Sequence, residues 1–402
     1  FIGQTGDPMQ VAAVSLATPV FMVFMALGNL FGIGGSSAIS RALGEKKAER
    51  ARNISSFCCY GSLGLGIIMA FIFLAGMNGI LKLIGASANT IDYARDYLTY
   101  IAFGGPFIMF GTAFGNILRG EGAAKESMIG NMIGTVTNIV LDPIMILGLN
   151  WGVVGAAVAT VIGNMAASAF YLLYFLRKKS ALSIRLKDFK AGERIAAGVM
   201  SIGIPASLNN ILMSCANIVL NQVLISYGDT PVAAMGVAMK ANMLLVLLQI
   251  GLCSGIQPLI GYNYGAKNKA RLREILKFDL LVQMVIAFVG GAVLMAFAPW
   301  MIRLFMDDVV IVEVGALMLR RMLIGLPFVG VFLVCSTLFM SAGKSLPTLL
   351  LSLSRQGIVF VFVLLALSRM MGYEGVITAQ PVTDVLSALL GVILLKAAKM
   401  EI

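Results

Sequence analysis

Histidine is absent from this chain of 402 residues, and charged residues make up only 12% of it. Without histidine the commonest general base and zinc ligand is missing. The five cysteines stand within apolar runs and lack metal-ligand spacing, so neither a zinc site nor a disulfide framework is predicted. The acidic residues are scattered rather than clustered. These absences argue against an enzyme and against a resident cofactor.

Apolar residues dominate the rest of the chain: 59% of it is hydrophobic, and the mean hydropathy is +0.92. Such a composition is typical of a polytopic helical membrane protein. A membrane-crossing helix needs roughly 20 apolar residues. We therefore predict an all-α membrane protein with eleven spans, at about residues 12–40, 54–80, 93–118, 126–147, 152–176, 194–226, 231–262, 276–304, 314–340, 347–370 and 375–396.

The net charge of +11 is explained by membrane topology. When successive loops are assigned to alternate sides, most of the 30 basic residues fall on one side, and acidic residues such as Asp92, Asp229 and Glu374 fall on the other. Lysine and arginine collect in cytoplasmic loops, so the basic side is predicted to be cytoplasmic. We expect a multi-pass protein of the cell membrane (plasma or inner membrane) with a cytoplasmic C-terminus and no nucleic-acid partner.

An internal repeat relates the two halves of the chain. GGSSAISRALGEKKAERARNISSF (34–57) aligns without a gap with GIQPLIGYNYGAKNKARLREILKF (255–278). Both copies follow a span that runs from outside to inside, so parallel repeats about an axis along the membrane normal are predicted. The matched positions include glycine and basic residues: Gly34 and Gly255, Gly44 and Gly265, Lys46 and Lys267, Arg50 and Arg271.

The repeat predicts two pseudo-symmetric lobes, residues 1–185 and 186–402, joined by a basic link. The second lobe has six predicted spans, whereas the first has five. FIGQTGDP at the start of the chain aligns with ISYGDTP, which follows the first span of the second lobe. We therefore expect a parent of twelve helices, six in each lobe, whose first helix precedes Phe1.

The stretch GTVTNIVLDPIMILGLNWG (134–152) places an ionisable residue, Asp142, inside an apolar span. Placing a carboxylate within the membrane has a large free-energy cost, so Asp142 is a candidate functional residue. Asn138 lies one helical turn earlier on the same face. Pro143 removes a backbone donor and predicts a bend in the helix. Thr160 on the next helix is predicted at a similar depth, roughly 9–12 Å below the outer surface at ~1.5 Å per residue.

Asp142, Asn138 and Thr160 are thus the candidate cation-coupling residues. A carboxylate can carry H⁺, and carboxylate, amide and hydroxyl oxygens together suit Na⁺, so the sequence leaves the coupling ion open. A structural alternative also stays open, in which Asp142 caps a neighbouring helix and Thr160 packs two helices together.

The C-terminal lobe contains charges of its own within predicted spans. Lys240 and Asp384 each lie about nine residues into helices that enter from the outside, and we predict that they form a charge pair. The pair would either hold the lobe together or act as a second charge switch or substrate contact. Pro205 predicts a bend in the first helix of this lobe.

Several motifs, taken in their order along the chain, resemble the multidrug and toxic compound extrusion transporters. They are the paired G-x(9)-G-x-K after the second helix of each lobe, ILRGEGAAKES (117–127) with its echo LFMSAGKS (338–345), and NIVLDPIMI. The resemblance covers essentially the whole chain. It implies two six-helix lobes around a cleft, and drug export driven by inward H⁺ or Na⁺.

The resemblance also implies where the cation binds. One branch of that family binds it in the N-terminal lobe, through an Asn and an Asp four apart on the fifth helix and a Thr on the sixth, which Asn138, Asp142 and Thr160 match. The first-helix Asp and Tyr of that branch belong to the helix expected before Phe1. The other branch carries acids in its C-terminal lobe, where this chain has Met213 and Val329 to Phe332.

The resulting expectation is a cation-coupled antiporter that exports amphipathic, mostly cationic drugs and toxic compounds by alternating access. The 25 Met and 23 Phe residues suit such cargo, since both side chains accommodate lipophilic cations. The alternatives are a flippase for a lipid-linked saccharide or other amphipathic lipid, and a channel. Because one chain contains both lobes, it is expected to work as a monomer within the lipid bilayer.

Overall fold

The structure, a computed structural model, describes residues 1–177, 180–192, 194–306 and 308–398. Within these ranges all regular structure is helical. The α-helices are α1 (Pro8–Gly44), α2 (Ala48–Ala75), α3 (Met77–Leu83), α4 (Ile91–Glu121), α5 (Ala124–Pro143), α6 (Gly152–Leu176), α7 (Ile195–Ile225), α8 (Asp229–Gly265), α9 (Lys269–Val285), α10 (Gly291–Ala296), α11 (Ala298–Arg303), α12 (Val309–Ile324), α13 (Leu326–Ala342), α14 (Ser345–Arg355), α15 (Ile358–Met371) and α16 (Tyr373–Ala397).

Two π-helical segments interrupt this pattern. Segment π1 (Ile144–Gly148) follows α5, and segment π2 (Ile286–Gly290) joins α9 to α10. Counting helices across these joints in the part of the chain that the structure describes, ten are long and apolar enough to cross a membrane, and α12 with α13, bent by 45° at their junction, makes an eleventh. The prediction of an all-α membrane protein with eleven spans is confirmed.

The chain divides into two compact units, Phe1–Ser207 and Leu208–Ile402. Each unit has its own apolar core: that of unit 1 includes Phe24 and Tyr171, and that of unit 2 includes Leu319. The first half of α7 belongs to unit 1, where the Ser207 hydroxyl donates to the Ala26 carbonyl at 2.7 Å. The lobe boundary predicted between residues 185 and 186 lies before α7 and stays a prediction.

The aligned repeat has the same backbone geometry in both units. Helices α1 and α8 each contain 37 residues and end at the matched glycines. Two residues later Lys46 and Lys267 adopt the left-handed conformation, with φ of 60° and 56°. Their N–H groups close the helix ends on Leu43 and Tyr264 carbonyls at 3.0 and 3.1 Å. The repeat read from the sequence is therefore also a repeat of local structure.

Candidate cation site

Helices α5 and α6 lie unusually close together where two glycines face each other. A Cβ on Gly163 would lie 2.7 Å from the Gly134 carbonyl oxygen, and a Cβ on Gly134 would lie 3.0 Å from that of Gly163. Larger residues would push the helices apart, because real Cβ atoms do not approach backbone this closely. This contact lies one turn from Asn138, whose Cβ is 3.2 Å from the Cβ position on Gly163. The glycines thus bring the polar face of α5 within reach of α6.

The three predicted cation-coupling residues meet at this crossing. The Asn138 amide donates to Asp142 Oδ1 at 3.2 Å and reaches Thr160 Oγ1 at 3.5 Å. The Thr160 hydroxyl donates to the Ala156 carbonyl at 2.9 Å, so its lone pairs remain available to Asn138. All three side chains are half-buried. The grouping inferred from depth and helical spacing is present in the structure, while its role in ion coupling stays a prediction.

The backbone beside Asp142 departs from α-helical geometry. Pro143 is the last residue of α5, and in π1 the Leu149 N–H donates to the Ile144 carbonyl at 2.8 Å. Proline has no N–H, so the Ile139 carbonyl loses its usual intrahelical donor. π-Helical turns are frequent at functional sites. Pro205 lies in the interior of α7, which continues on both sides of it; bends at the two prolines stay predictions.

A polar stripe, not identified from the sequence, leads away from Asp142 along α5. It consists of Ser127, Asn131, Thr135, Asn138 and Asp142. Their spacing of three and four residues places them on one helix face. This spacing is the signal that could have revealed the stripe. A cavity of about 410 Å³ lies along it, lined in part by Ser127, Asn131 and Thr135.

Neighbouring helices add further polar groups to this region. The Asn164 amide of α6 donates to the Thr160 carbonyl at 2.9 Å, and the Tyr171 hydroxyl donates to the Ser127 carbonyl at 3.0 Å. Arg119 of α4 lines the cavity and donates to the Asn116 amide oxygen. Tyr97 is buried on α4. The Asp142 group is therefore one end of a longer polar region in unit 1.

The predicted pairing of Lys240 with Asp384 is wrong. Asp384 Oδ1 accepts from Arg355 Nε at 2.8 Å and from the Gln380 amide at 3.1 Å. Lys240 is exposed on α8 and forms no ion pair with any residue in the described ranges. Depth along a helix does not say which neighbour a face meets, and α16 packs against α14, whose last residue is Arg355.

Arg355 and Asp384 are both buried, with 11% and 3% of their side chains exposed. The Arg355 guanidinium also lies 5.5 Å from the centroid of the Phe332 ring. These contacts join α14, α16 and α13. They fit the structural interpretation of the pair, with Arg355 in place of Lys240.

The MatE family profile matches residues 1–144 and 205–365. The chain belongs to the MatE family. It is accordingly a membrane transporter and not an enzyme.

Among curated relatives of this MatE protein, Multidrug export protein MepA of Staphylococcus saprophyticus subsp. saprophyticus is 33% identical over 389 residues, covering 97% of this chain and 86% of the relative. The protein of the same name from Staphylococcus aureus matches with the same identity and coverage.

Solved structures resemble the whole MatE chain. One is MATE in complex with MaL6, with a TM-score of 0.93, 29% identity and coverage of 98% of this chain and 89% of the other. Another is a MOP superfamily transporter from Pyrococcus furiosus, described as having a binding pocket of reverse polarity, with a TM-score of 0.91, 29% identity and coverage of 98% and 88%.

Proposed function

We propose that this protein is a cation-coupled antiporter that exports amphipathic, mostly cationic compounds from the cytoplasm by alternating access. The observation that carries the proposal is the Asp142 carboxylate, half-buried in a membrane-spanning helix and linked through Asn138 to Thr160. The curated relatives support the export of drugs, since both are named Multidrug export protein MepA. The coupling ion is H⁺ or Na⁺.

Ion binding at Asp142 changes how α5 and α6 are linked. The charged carboxylate attracts the Asn138 amide, which also reaches Thr160. A proton or Na⁺ on the carboxylate weakens that attraction and alters the hydrogen bonds at the crossing of the two helices. A ligand shifts a conformational equilibrium by its differential affinity for the two states. The occupied site therefore favours the conformation that releases drug.

The polar stripe of α5 provides a route between Asp142 and the basic end of unit 1. Ser127, Asn131 and Thr135 line the 410 Å³ cavity and lie between Asp142 and Lys125 in the first turn of α5, next to the basic loop between α4 and α5. Because basic loops are cytoplasmic, this end of the route faces the cytoplasm. The ion enters near Asp142 from the outside and leaves along the stripe. The same orientation places the C-terminus in the cytoplasm.

The basic side chains of unit 2 favour this function over the flippase alternative. A lipid-linked saccharide carries phosphate and requires uncompensated basic groups. Arg321 pairs with Glu374 at 2.8 Å, and Arg355 pairs with Asp384 at the same distance. Arg320 donates to the Met295 carbonyl at 3.2 Å. Of Lys240, Arg320, Arg321 and Arg355, only Lys240 forms no such contact with a described residue. Amphipathic cations fit this charge distribution better.

The test is ethidium efflux from proteoliposomes under a pH gradient or a Na⁺ gradient imposed separately. Wild type is expected to export with one gradient, which identifies the ion, and Asp142→Asn is expected to lose the gradient-driven component. Asp96→Asn, at an exposed position of α4, serves as the matched control. Equal reconstitution of the three proteins separates coupling from insertion. Gradient-driven efflux that persists in Asp142→Asn would contradict the proposal, and so would its absence from wild type.

A further inference from the structure

Helices α8, α9 and α13 of unit 2 enclose polar side chains that have no access to solvent. Asp279 and Gln283 of α9 and Gln249 of α8 are each 0% exposed. Cys253 of α8 and Thr337 of α13 lie beside them and are 4% and 8% exposed. This cluster belongs to unit 2, whereas the Asp142 site belongs to unit 1.

The Asp279 carboxylate has little to compensate its charge. Its contacts are the Gln283 amide, 3.5 Å from Oδ1, and the Cys253 sulfur, 3.9 Å from Oδ2. Across the described ranges no lysine or arginine pairs with it, and Cys253 is the one titratable group that contacts it. Burying an unpaired carboxylate is very costly. The charge must be balanced by a bound cation or removed by a proton.

The side-chain oxygens of the neighbouring glutamines accept no hydrogen bond, because their amide N–H groups are directed at backbone carbonyls. Gln283 Nε2 lies 3.1 Å from the Gln249 carbonyl oxygen, and Gln249 Nε2 lies 3.5 Å from the carbonyl oxygens of Gln283 and Leu326. Exchanging the Oε1 and Nε2 positions of either side chain would place Oε1 next to a carbonyl oxygen. The surrounding carbonyl groups therefore determine which amide atom is the nitrogen. Both Oε1 atoms are buried and have no hydrogen-bond partner. The cluster therefore has an excess of acceptors, which suits a cation.

The helix that carries this cluster has two features in common with α5. Asp279 and Gln283 are a carboxylate and an amide four residues apart, as are Asp142 and Asn138. A π-helical segment follows within three residues in each case, π2 after Gln283 and π1 after Asp142. Gly330 of α13 allows close packing, since a Cβ there would lie 3.0 Å from Gln283 Cβ. The two helices occupy different places in the repeat, so the likeness is not inherited from it.

We propose that Asp279, Gln283 and Gln249 form a second cation site, specific for a monovalent cation, either H⁺ or Na⁺. One carboxylate balances one positive charge, and the neutral amide oxygens complete an oxygen-rich environment. No group of three or more His, Cys, Asp or Glu residues that could hold a metal ion is found in the described chain. The site goes beyond the proposed function, because it adds a second ion to a transporter whose coupling is assigned to Asp142 alone.

The decisive experiment removes the first site and then probes the second. Equilibrium binding of radioactive Na⁺ at alkaline pH is measured on purified Asp142→Asn protein and on the double variant Asp142→Asn/Asp279→Asn. The matched control is Asp142→Asn/Asp229→Asn, since Asp229 is exposed at the start of α8. A Na⁺ site predicts one bound ion per chain in Asp142→Asn and in the control, and none in the Asp279 variant.

A proton site is recognised by infrared difference spectroscopy over a pH titration of the same three proteins. The carbonyl band of a protonated, buried carboxyl group is expected in Asp142→Asn and in the control, and its loss is expected in the Asp279 variant. Loss of either signal on changing Asp279 supports the second site. The proposal is overturned if Asp142→Asn/Asp279→Asn retains both signals, or if Asp142→Asn itself shows neither.

Gln249→Met provides a second variant if Asp279→Asn does not fold. This variant preserves the Asp279 carboxylate and removes the unpaired Gln249 Oε1. We therefore expect Na⁺ binding to weaken about tenfold, or the titration of the Asp279 carboxyl group to move to a different pH. Unchanged binding and titration in this variant overturn the proposal. These experiments test the antiporter and the second cation site independently of each other. Loss of drug efflux in Asp142→Asn without an ion signal from Asp279 leaves the antiporter standing and removes only the second site.

Discussion

Asp142 illustrates what a single carboxylate requires inside an apolar helix. Its nearest partner is an amide on its own helix, at 3.2 Å, rather than a basic side chain. The buried carboxylate of unit 2 that does have a basic partner, Asp384, is held by Arg355 at 2.8 Å and by Gln380. An arginine partner stabilises the charged form of a carboxylate, whereas a carboxylate held only by an amide is freer to exchange a proton or Na⁺. The residue environment therefore separates the carboxylate proposed for coupling from the one proposed to be structural.

Asn138 is expected to set the affinity of the coupling site. Replacing Asn138 by Leu removes a hydrogen bond to a charged group, which is worth about 1.5–3 kcal/mol, so the ion concentration for half-maximal efflux should change by about tenfold or more. Titration of ethidium efflux against Na⁺ or pH measures this change. Asn78→Leu, at an exposed position of α3, is the matched control. An unaltered ion dependence would separate Asn138 from coupling.

The Arg355–Asp384 pair is expected to stabilise unit 2 only when both partners are present. Arg355→Met leaves a buried carboxylate unpaired, and the expected loss of stability is about 3–5 kcal/mol. The double variant Arg355→Met/Asp384→Leu should recover most of it, because no charge remains buried. Thermal unfolding in detergent measures both. Asp92→Asn, which breaks an exposed pair with Arg95, should have little effect. A double variant no more stable than Arg355→Met would contradict the argument.

At the scale of elements, glycines determine which helices can share a polar site. The contact between Gly134 and Gly163 lets α5 and α6 approach until Asn138 reaches Thr160 at 3.5 Å. Both carboxylate and amide pairs, on α5 and on α9, are followed by π-helical segments, which are frequent at functional sites. Close packing and local irregularity thus occur together where polar residues lie within the spans.

Gly163→Leu is expected to separate α5 from α6. The added side chain has no room against the Gly134 carbonyl, and overpacking of this kind typically costs about 1–3 kcal/mol. The variant should unfold at lower temperature and should lose ion-coupled efflux, since Asn138 no longer reaches Thr160. Gly64→Leu on α2 is the control, because a Cβ there meets no atom within 4 Å. Full efflux by Gly163→Leu would show that the crossing is not required.

At the scale of the whole molecule, charge distribution predicts the orientation in the membrane. Asp92, in the first turn of α4, and Lys125, in the first turn of α5, lie at opposite ends of α4, and both residues are exposed. Cytoplasmic loops are enriched in lysine and arginine, so we expect the Lys125 end to face the cytoplasm. The polar stripe of α5 begins at this end, so the predicted orientation sets the direction of ion flow in the proposed cycle.

Cysteine labelling of intact cells tests that orientation. Cys215 is the exposed native cysteine and is first replaced by Ser, whereas the other four are buried. A membrane-impermeant thiol reagent should label Asp92→Cys in intact cells and Lys125→Cys only after the cells are opened. The reverse pattern would invert the topology and would require the ion to move in the opposite direction along the stripe.

The sequence by itself determined the class of protein, the number of spans, the repeat and the grouping of Asn138, Asp142 and Thr160. Each of these follows from local rules: apolar length, the sidedness of charge, and residues four apart on one helix face. The spacing of Asp279 and Gln283 obeys the same rule, so the second cluster was within reach of the same reasoning.

Only the tertiary structure decided which faces of different helices meet. It assigned Arg355 rather than Lys240 to Asp384, joined Gln249 to Gln283 and Asp279, and placed a cavity along the stripe of α5. Sequence spacing gives the depth of a residue and its direction relative to its own helix. The rotation of one helix against another depends on the packing of many side chains, and on glycines such as Gly134 and Gly163 that allow close contact, so no local pattern encodes it.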